Sequence, residues 1–239
     1  MANIKTLSIQ NIHPTKNNTP PTQPHMHFAS GFNAHKLIWI FTLGSVLGFL
    51  VETIWRLCSK GQWEVRSSLV WGPFNILYGV GAVVLFLILR KVDRRKKVQI
   101  AVWGMVIGTV VEYLLALAQE AVFGTASWDY SHLPLNIGGK VCLYFSLAWG
   151  AISLVWAFVV QPLMENIMSK FSDQKGRRLA IALAIFLAIN MTISALAVMR
   201  WQMRLHGTAT MTPIGALLDQ CFPDGFMRII YANMSVIQS

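Results

Sequence analysis

Two glutamates lie within long apolar stretches of this chain, where charged side chains are rare. Glu52 falls in the stretch 37–57 and Glu112 in the stretch 98–123. A charged side chain deep in a bilayer costs about 2.5–3.5 kcal/mol on insertion scales, so each carboxyl must face protein or water, be paired, or be protonated. A carboxyl group in such a place can bind a solute, carry a proton or act as a general acid or base. These two residues are therefore the first candidates for function.

The neighbours of the two glutamates along the chain differ. Arg56 follows Glu52 by four residues, so an ion pair within one helix is the structural alternative to a functional role. Glu112 has no basic residue within a helical turn. Its partner must then come from another helix. Lys140 and Arg66 are the predicted partners, because both are expected at the outer ends of apolar stretches and long basic side chains can reach inward.

Both glutamates end the same pattern of small residues. A run of Gly-x-x-x-Gly-x-x-x-Glu ends at Glu52 and recurs ending at Glu112. Residues four apart lie on nearly the same face of a helix. Small residues on such a face let another backbone approach closely, which is how helices pack within a membrane. The match predicts a parallel repeat of the first and third helices, with Gly48 and Gly108 at helix–helix contacts.

The composition requires a membrane around these helices. Only 13% of the 239 residues are charged, about half of the ~25% typical of soluble domains. The stretches 69–89, 141–164 and 179–199 contain no Asp, Glu, Lys or Arg, and each is long enough for the ~20 residues of a transmembrane helix. With the two stretches that carry the glutamates, they predict an all-α polytopic transmembrane bundle of about five spans over residues 35–200.

Basic residues cluster in two of the short connections, 90–97 and 165–178, whereas the connection 124–139 contains no Lys or Arg. By the positive-inside rule, the N-terminus and the two basic connections lie inside, and 124–139 and the C-terminus lie outside. This distribution accounts for the net charge of +10 without nucleic acid as a partner. Residues 1–34 are polar and predicted to be a disordered cytoplasmic arm. Residues 201–239 are predicted to be an extracytoplasmic tail, too interrupted for a sixth span.

Polar residues collect in the outer half of the predicted bundle, where they suggest an outward-facing vestibule. The second stretch opens with Trp-Gly-Pro-Phe-Asn at 71–75, which favours either an interrupted helix of the kind found at transporter sites or an ordinary helix start with a tight turn. The predicted functional cluster comprises Glu52, Arg66, Asn75, Tyr78, Glu112, Glu120, Asp129, Asn136 and Lys140.

Motifs for cofactor or metal chemistry are missing from the sequence. There is no Gly-x-x-x-x-Gly-Lys-Ser/Thr phosphate loop and no His-Glu-x-x-His pair, so an ATPase would be a separate chain and we expect neither a cofactor nor a metal. Cys58, Cys142 and Cys221 lack metal-ligand spacing. All three are expected near the outer face, where a disulfide is chemically allowed.

The motifs of the membrane region resemble one family. The resemblance covers about residues 38–200 and is carried by the glycine–glutamate run at 44–52, Gly-Pro-Phe at 72–74, Tyr-Gly-x-Gly at 78–81, Trp-Asp-Tyr-Ser at 128–131 and Ser-x-x-Trp-Gly at 146–150. The chain is similar to the ABC-transporter type IV permeases of bacterial membranes. The resemblance implies a permease-like transport component of the bacterial cell membrane, surrounded by lipid and partnered by a separate ATPase subunit or by further copies of itself. Asn75-Ile76-Leu77 and Asn190 depart from the residues expected there.

Two other functions are compatible with the same residues. An intramembrane enzyme acting on lipid-linked or cell-envelope substrates would use Glu52, Glu112, Glu120 and Asp129 as acid–base groups. A structural or signalling membrane subunit would need only the glycine grooves. The sequence contains no recognised catalytic motif, and it does not identify a substrate.

Overall fold

The computed structural model describes residues 27–208 and 212–237. Over these residues the chain is mainly helical, and its few strands are two residues long. The helices are α1 (Ala34–Lys60), α2 (Ile76–Leu89), α3 (Lys97–Phe123), α4 (Leu143–Ser169), α5 (Asp173–Leu205), α6 (Pro213–Cys221) and α7 (Asp224–Ile230). The strands are β1 (Thr125–Ala126), β2 (Asn136–Ile137), β3 (Val141–Cys142) and β4 (Ser235–Val236), with β1 antiparallel to β4 and β2 antiparallel to β3. The predicted all-α polytopic membrane bundle is confirmed.

Four of these helices are long and apolar enough to cross a membrane. They are α1, α3, α4 and α5, with 27, 27, 27 and 33 residues. At 1.5 Å per residue, 27 residues span about 40 Å, more than the ~30 Å hydrocarbon core. Exposed Leu, Ile and Val side chains cover their outer faces, as in Val51, Val110 and Ile185. Helix α2 has only 14 residues, or about 21 Å, so the second predicted span is only partly helical.

An irregular segment, residues 67–75, takes the place of the missing part of the second span. It packs against α5, where the Val70 N–H donates to the Ser194 hydroxyl at 2.9 Å. The Asn190 amide bonds both backbone groups of Trp71, donating to its carbonyl at 2.7 Å and accepting from its N–H at 3.4 Å. Gly72 has φ of 79°, which favours glycine. Irregular backbone at membrane depth is tolerated when protein groups satisfy it in this way.

The first four helices form two antiparallel hairpins, α1 with α2 and α3 with α4. The most extensive contacts join α1 to α2 and α3 to α4, and α5 packs against α1. Buried apolar side chains, among them Ile40, Phe86, Ile107 and Met168, fill the space between the hairpins. Within α4, residues 156–160 form a π-helical turn. It precedes Pro162, whose ring lacks an N–H and crowds the preceding turn, so the helix widens there.

One end of the bundle, here called the basic end, brings together residues 27–36, 90–97 and 165–178. Phe28 is buried there, and its N–H donates to Asp173 at 2.6 Å. Residues 27–29 of the predicted arm are thus packed against the bundle, and residues 1–26 lie outside the described residues. Only residues 170–172 separate α4 from α5, so most of the predicted connection 165–178 is helical. The division into arm, bundle and tail stays a prediction.

The opposite end, here called the tail end, contains residues 61–75, 124–142 and 206–237 where described. Arg200 and Arg204 of α5 both bond Asp219 of α6, the former at 2.7 Å. The Asn233 amide donates to the Ser127 carbonyl at 2.9 Å, and β4 pairs with β1. The segment after α7 therefore packs on the loop after α3, and α6 is held to α5. Cys58, Cys142 and Cys221 are free thiols.

Candidate functional site

Both oxygens of Glu52 are hydrogen-bonded across helices. The Tyr78 hydroxyl of α2 donates to one oxygen at 2.9 Å, and the Arg66 guanidinium donates to the other at 3.4 Å. Arg66 also lies 3.7 Å from Glu64, which binds Arg56 at 2.6 Å. The structural alternative, an ion pair of Glu52 with Arg56, is therefore not formed. The loop after α1 folds back and offers Arg56 a closer carboxylate.

Glu112 lies in α3 and is only 4% exposed. The Tyr130 hydroxyl donates to one oxygen and the Trp149 indole N–H to the other, both at 3.0 Å. Both donors are neutral. Among the described residues, no Lys or Arg forms an ion pair with Glu112. Its carboxyl group is therefore held by neutral hydrogen-bond donors, without a basic partner among the described residues.

The predicted partners of Glu112 bind other carboxylates. Lys140 pairs with Glu120 at 2.6 Å, and Arg66 pairs with Glu52. The prediction that either basic residue would neutralise Glu112 is wrong. The physical reason is that a carboxyl group does not require a cation as its partner, because phenol and indole groups also donate hydrogen bonds to it.

In the first hairpin, a glycine makes room for the aromatic donor. Gly48 lies one turn before Glu52, and a Cβ atom there would overlap the Tyr78 ring. The ring therefore lies across the bare backbone of α1, and its hydroxyl reaches the carboxylate on the next turn. Gly48 lies at a helix–helix contact, as the glycine spacing predicts.

The second hairpin repeats this arrangement with a different aromatic residue. Gly108 lies one turn before Glu112, and a Cβ atom there would overlap the Trp149 ring. The same relation holds further along: Gly44 faces Ala82, and Gly104 faces Ser153. The repeated pattern on α1 and α3 thus has matching partners on α2 and α4.

The two hairpins meet through their aromatic residues. The ring centroids of Tyr78 and Trp149 lie 5.4 Å apart, so the two glutamates belong to one continuous group. This group, here called the glutamate cluster, consists of Glu52, Arg66, Tyr78, Glu112, Tyr130 and Trp149. It joins α1, α2, α3, α4 and two loops of the tail end.

Comparison with known proteins gives a match over the helices that carry this cluster. The model of a protein family described as "Putative ABC-transporter type IV" matches residues 39–195, well over half of the chain. The chain belongs to this family. No curated protein and no solved structure matched. With its four long apolar helices, this member of the ABC-transporter type IV family is a multi-pass membrane protein and a transport-related membrane component. The comparisons do not favour the enzymatic or signalling alternatives.

Most of the remaining predicted residues of this ABC-transporter type IV protein lie at the tail end, outside the glutamate cluster. Glu120, Asp129 and Lys140 line a cavity of about 260 Å³ at the tail end. Asn136 braces the adjoining loop by donating to the Leu133 carbonyl at 2.8 Å. Asn75 lies beside the glutamate cluster and donates to the backbone carbonyl of Arg66 at 3.4 Å. The structure therefore separates the predicted cluster into a buried group and a surface group.

The loop between α3 and α4 contributes Tyr130 to the buried group and Asp129 to the surface group. Burial raises the pKa of Tyr130 above its usual range, and the Glu112 carboxylate raises it further, so this hydroxyl stays protonated and keeps donating. Hydrogen bonds from the N–H and hydroxyl of Ser131 lower the pKa of Asp129. Asp129 is thus an anion at neutral pH, and it holds the turn that carries Tyr130.

Tyr130 and Trp149 were missed as site residues by sequence reasoning. A signal was available, because Tyr78 and Trp149 are each followed by glycine and each faces a glycine of the preceding helix. Among the described residues, no group of three or more His, Cys, Asp or Glu side chains is placed to hold a metal ion.

Proposed function

We propose that the chain is the permease subunit of an ABC transporter in the bacterial cell membrane and that the glutamate cluster contacts the transported solute. One observation carries this proposal. Each hairpin contributes one glutamate, and the aromatic residues that bond these glutamates, Tyr78 and Trp149, contact each other. Ionisable groups inside a membrane bundle are costly and mark solute or proton paths. Glu112 has only neutral partners among the described residues, so no basic side chain there competes with a solute for its carboxyl group.

The chemistry of the cluster favours a cationic solute or one with several hydrogen-bond donors. Carboxylates accept such donors, and the faces of Tyr78 and Trp149 attract cations. We place the N-terminus and the basic end inside, because Lys and Arg concentrate there. The tail end then faces outward, and the cavity beside Glu120, Asp129 and Lys140 serves as the entrance to the cluster.

The proposed orientation predicts the labelling of single cysteines by a membrane-impermeant thiol reagent. In a background with the three native cysteines replaced by serine, Arg95→Cys at the basic end stays unlabelled in intact cells and reacts after the membrane is opened. His132→Cys in the loop between α3 and α4 reacts from outside in both conditions. Both positions are exposed, so accessibility within the protein does not distinguish them. Labelling of Arg95→Cys in intact cells would reverse the orientation.

The permease proposal also predicts a copurifying ATPase that docks at the basic end. Lys170→Glu combined with Lys175→Glu changes exposed residues around the turn between α4 and α5, and should reduce the copurified ATPase at least tenfold, because charges at an interface control partner binding. The matched control, Lys60→Glu with Arg228→Glu, makes the same charge change at the tail end and keeps the partner. A native complex that transports solute without any ATPase would refute the subunit assignment; copies of the chain alone would indicate a homo-oligomer.

A further inference from the structure

A cavity of about 600 Å³ lies at the basic end, at the opposite end of the bundle from the tail-end loops of the glutamate cluster. This volume is within the ~300–1,000 Å³ range of ligand sites. Its apolar lining includes the buried residues Leu89, Ile100 and Ala157, and its exposed polar lining includes Arg90, Lys91 and Arg94. Ala157 belongs to the π-helical turn of α4, so the widened backbone and a small side chain help to form the space.

The charges that line this cavity are unbalanced. Lys36, Arg90, Lys91 and Arg94 line it together with a single carboxylate, that of Glu165. Among the described residues, no carboxylate forms an ion pair with Arg90, Lys91 or Arg94. The positive-inside rule explains the exposed basic residues of the loop 90–97 without any ligand. It does not explain why a lysine is enclosed in the bundle beside them.

Lys36 is that lysine, and its side chain is only 5% exposed. Its ammonium donates to Glu165 at 2.9 Å and lies 4.9 Å from the centre of the Phe86 ring. An ammonium has three N–H donors, and this carboxylate takes one. The Arg90 guanidinium lies 4.5 Å from the centre of the Phe32 ring, which holds it at the rim. The cavity therefore presents positioned cations above an apolar floor.

We propose that this cavity binds a phosphate group, carried either by an anionic phospholipid or by a soluble phosphate ester. Guanidinium groups match the geometry of phosphate oxygens. Basic pockets between transmembrane helices suit the headgroups of acidic lipids. The apolar floor accommodates the carbon part of the same molecule. This inference depends only on residues of the basic end, so it is independent of the proposed role of the glutamate cluster.

Two neighbouring arginines provide a matched test of the phosphate site. Arg94 lines the cavity and Arg95 does not, and Arg94→Gln and Arg95→Gln remove the same charge from the same loop. The delipidated full chain in detergent is titrated with phosphatidylglycerol, phosphatidylcholine or inorganic phosphate, and binding is followed by native mass spectrometry and melting temperature. We expect phosphatidylglycerol to bind, Arg94→Gln to weaken its binding roughly tenfold, and Arg95→Gln to change it less than twofold. Arg90→Gln is a second cavity variant with the same expectation.

The outcomes separate the sources of the phosphate group. Binding of phosphatidylglycerol without an effect of inorganic phosphate identifies a lipid site, and competition by inorganic phosphate identifies a soluble phosphate ester. Equal weakening by the cavity variants and Arg95→Gln would overturn the proposal in favour of diffuse surface charge. Equal binding of phosphatidylcholine and phosphatidylglycerol, or no binding of any probe, would also overturn it.

Discussion

Gly108→Ala is expected to destabilise the protein strongly. The new Cβ would overlap the Cβ and ring atoms of Trp149. The ring cannot swing away without withdrawing its N–H from Glu112, with which it forms a 3.0 Å hydrogen bond. Overpacking of a well-packed site costs about 1–3 kcal/mol, and we expect the upper end of that range. The melting temperature in detergent should then fall by roughly 5–10 °C.

Gly225→Ala is the matched control for this substitution. Gly225 lies in α7 with open space around it, and alanine is the better helix former by up to about 1 kcal/mol. This variant should therefore melt at or slightly above the parent temperature. Gly48→Ala should behave like Gly108→Ala, because its Cβ would overlap the Tyr78 ring. If the variants at positions 48 and 108 melted like Gly225→Ala, the aromatic-over-glycine packing of the hairpins would be disproved.

Glu112→Gln is expected to abolish most transport while leaving the fold nearly intact. The glutamine oxygen can accept from the Trp149 indole, and its amide N–H can donate to the Tyr130 hydroxyl, so neither neighbour loses a partner. The melting temperature should change by less than about 3 °C. A solute bound through the carboxylate would lose a charge-assisted hydrogen bond of about 1.5–3 kcal/mol, which corresponds to a roughly tenfold or greater loss of transport.

Two quantities are measured on each variant: the melting temperature and transport-dependent growth. Asp93→Asn removes the same charge from an exposed loop at the basic end and should leave both quantities unchanged. A large fall in melting temperature for Glu112→Gln would make Glu112 a structural residue. Parent-like growth with parent-like stability would remove it from the proposed solute site.

The membrane character of the chain and much of its helix packing could be predicted from the sequence. A helix satisfies its backbone polar groups internally, so long apolar stretches with few charges indicate transmembrane helices, and α1, α3, α4 and α5 coincide with four of the five predicted stretches. The glycine spacing predicted contacts at Gly48 and Gly108, because small residues on one helix face permit another helix to approach closely. These properties depend on local composition and periodicity.

The partners of the two glutamates were decided by the tertiary structure. Spacing along one helix identifies neighbours one turn away, such as Arg56 for Glu52, but the loop after α1 brings Arg66 to Glu52 and leaves Arg56 with Glu64. The donors to Glu112 lie 18 and 37 residues further along the chain. Their approach depends on how the loop between α3 and α4 folds, which has no periodic signal.

The second span and the basic cavity were also only partly predictable from the sequence. The apolar stretch 69–89 predicted one span, yet its first part is irregular because Asn190 and Ser194 of α5 satisfy its backbone groups. The basic loop 90–97 was evident from charge alone, whereas the enclosure of Lys36 beside Arg90 and Glu165 required three elements to meet. Local sequence determined which segments enter the membrane. Only the tertiary structure decided which polar groups meet inside it, because their pairing energies depend on distances between segments remote in sequence.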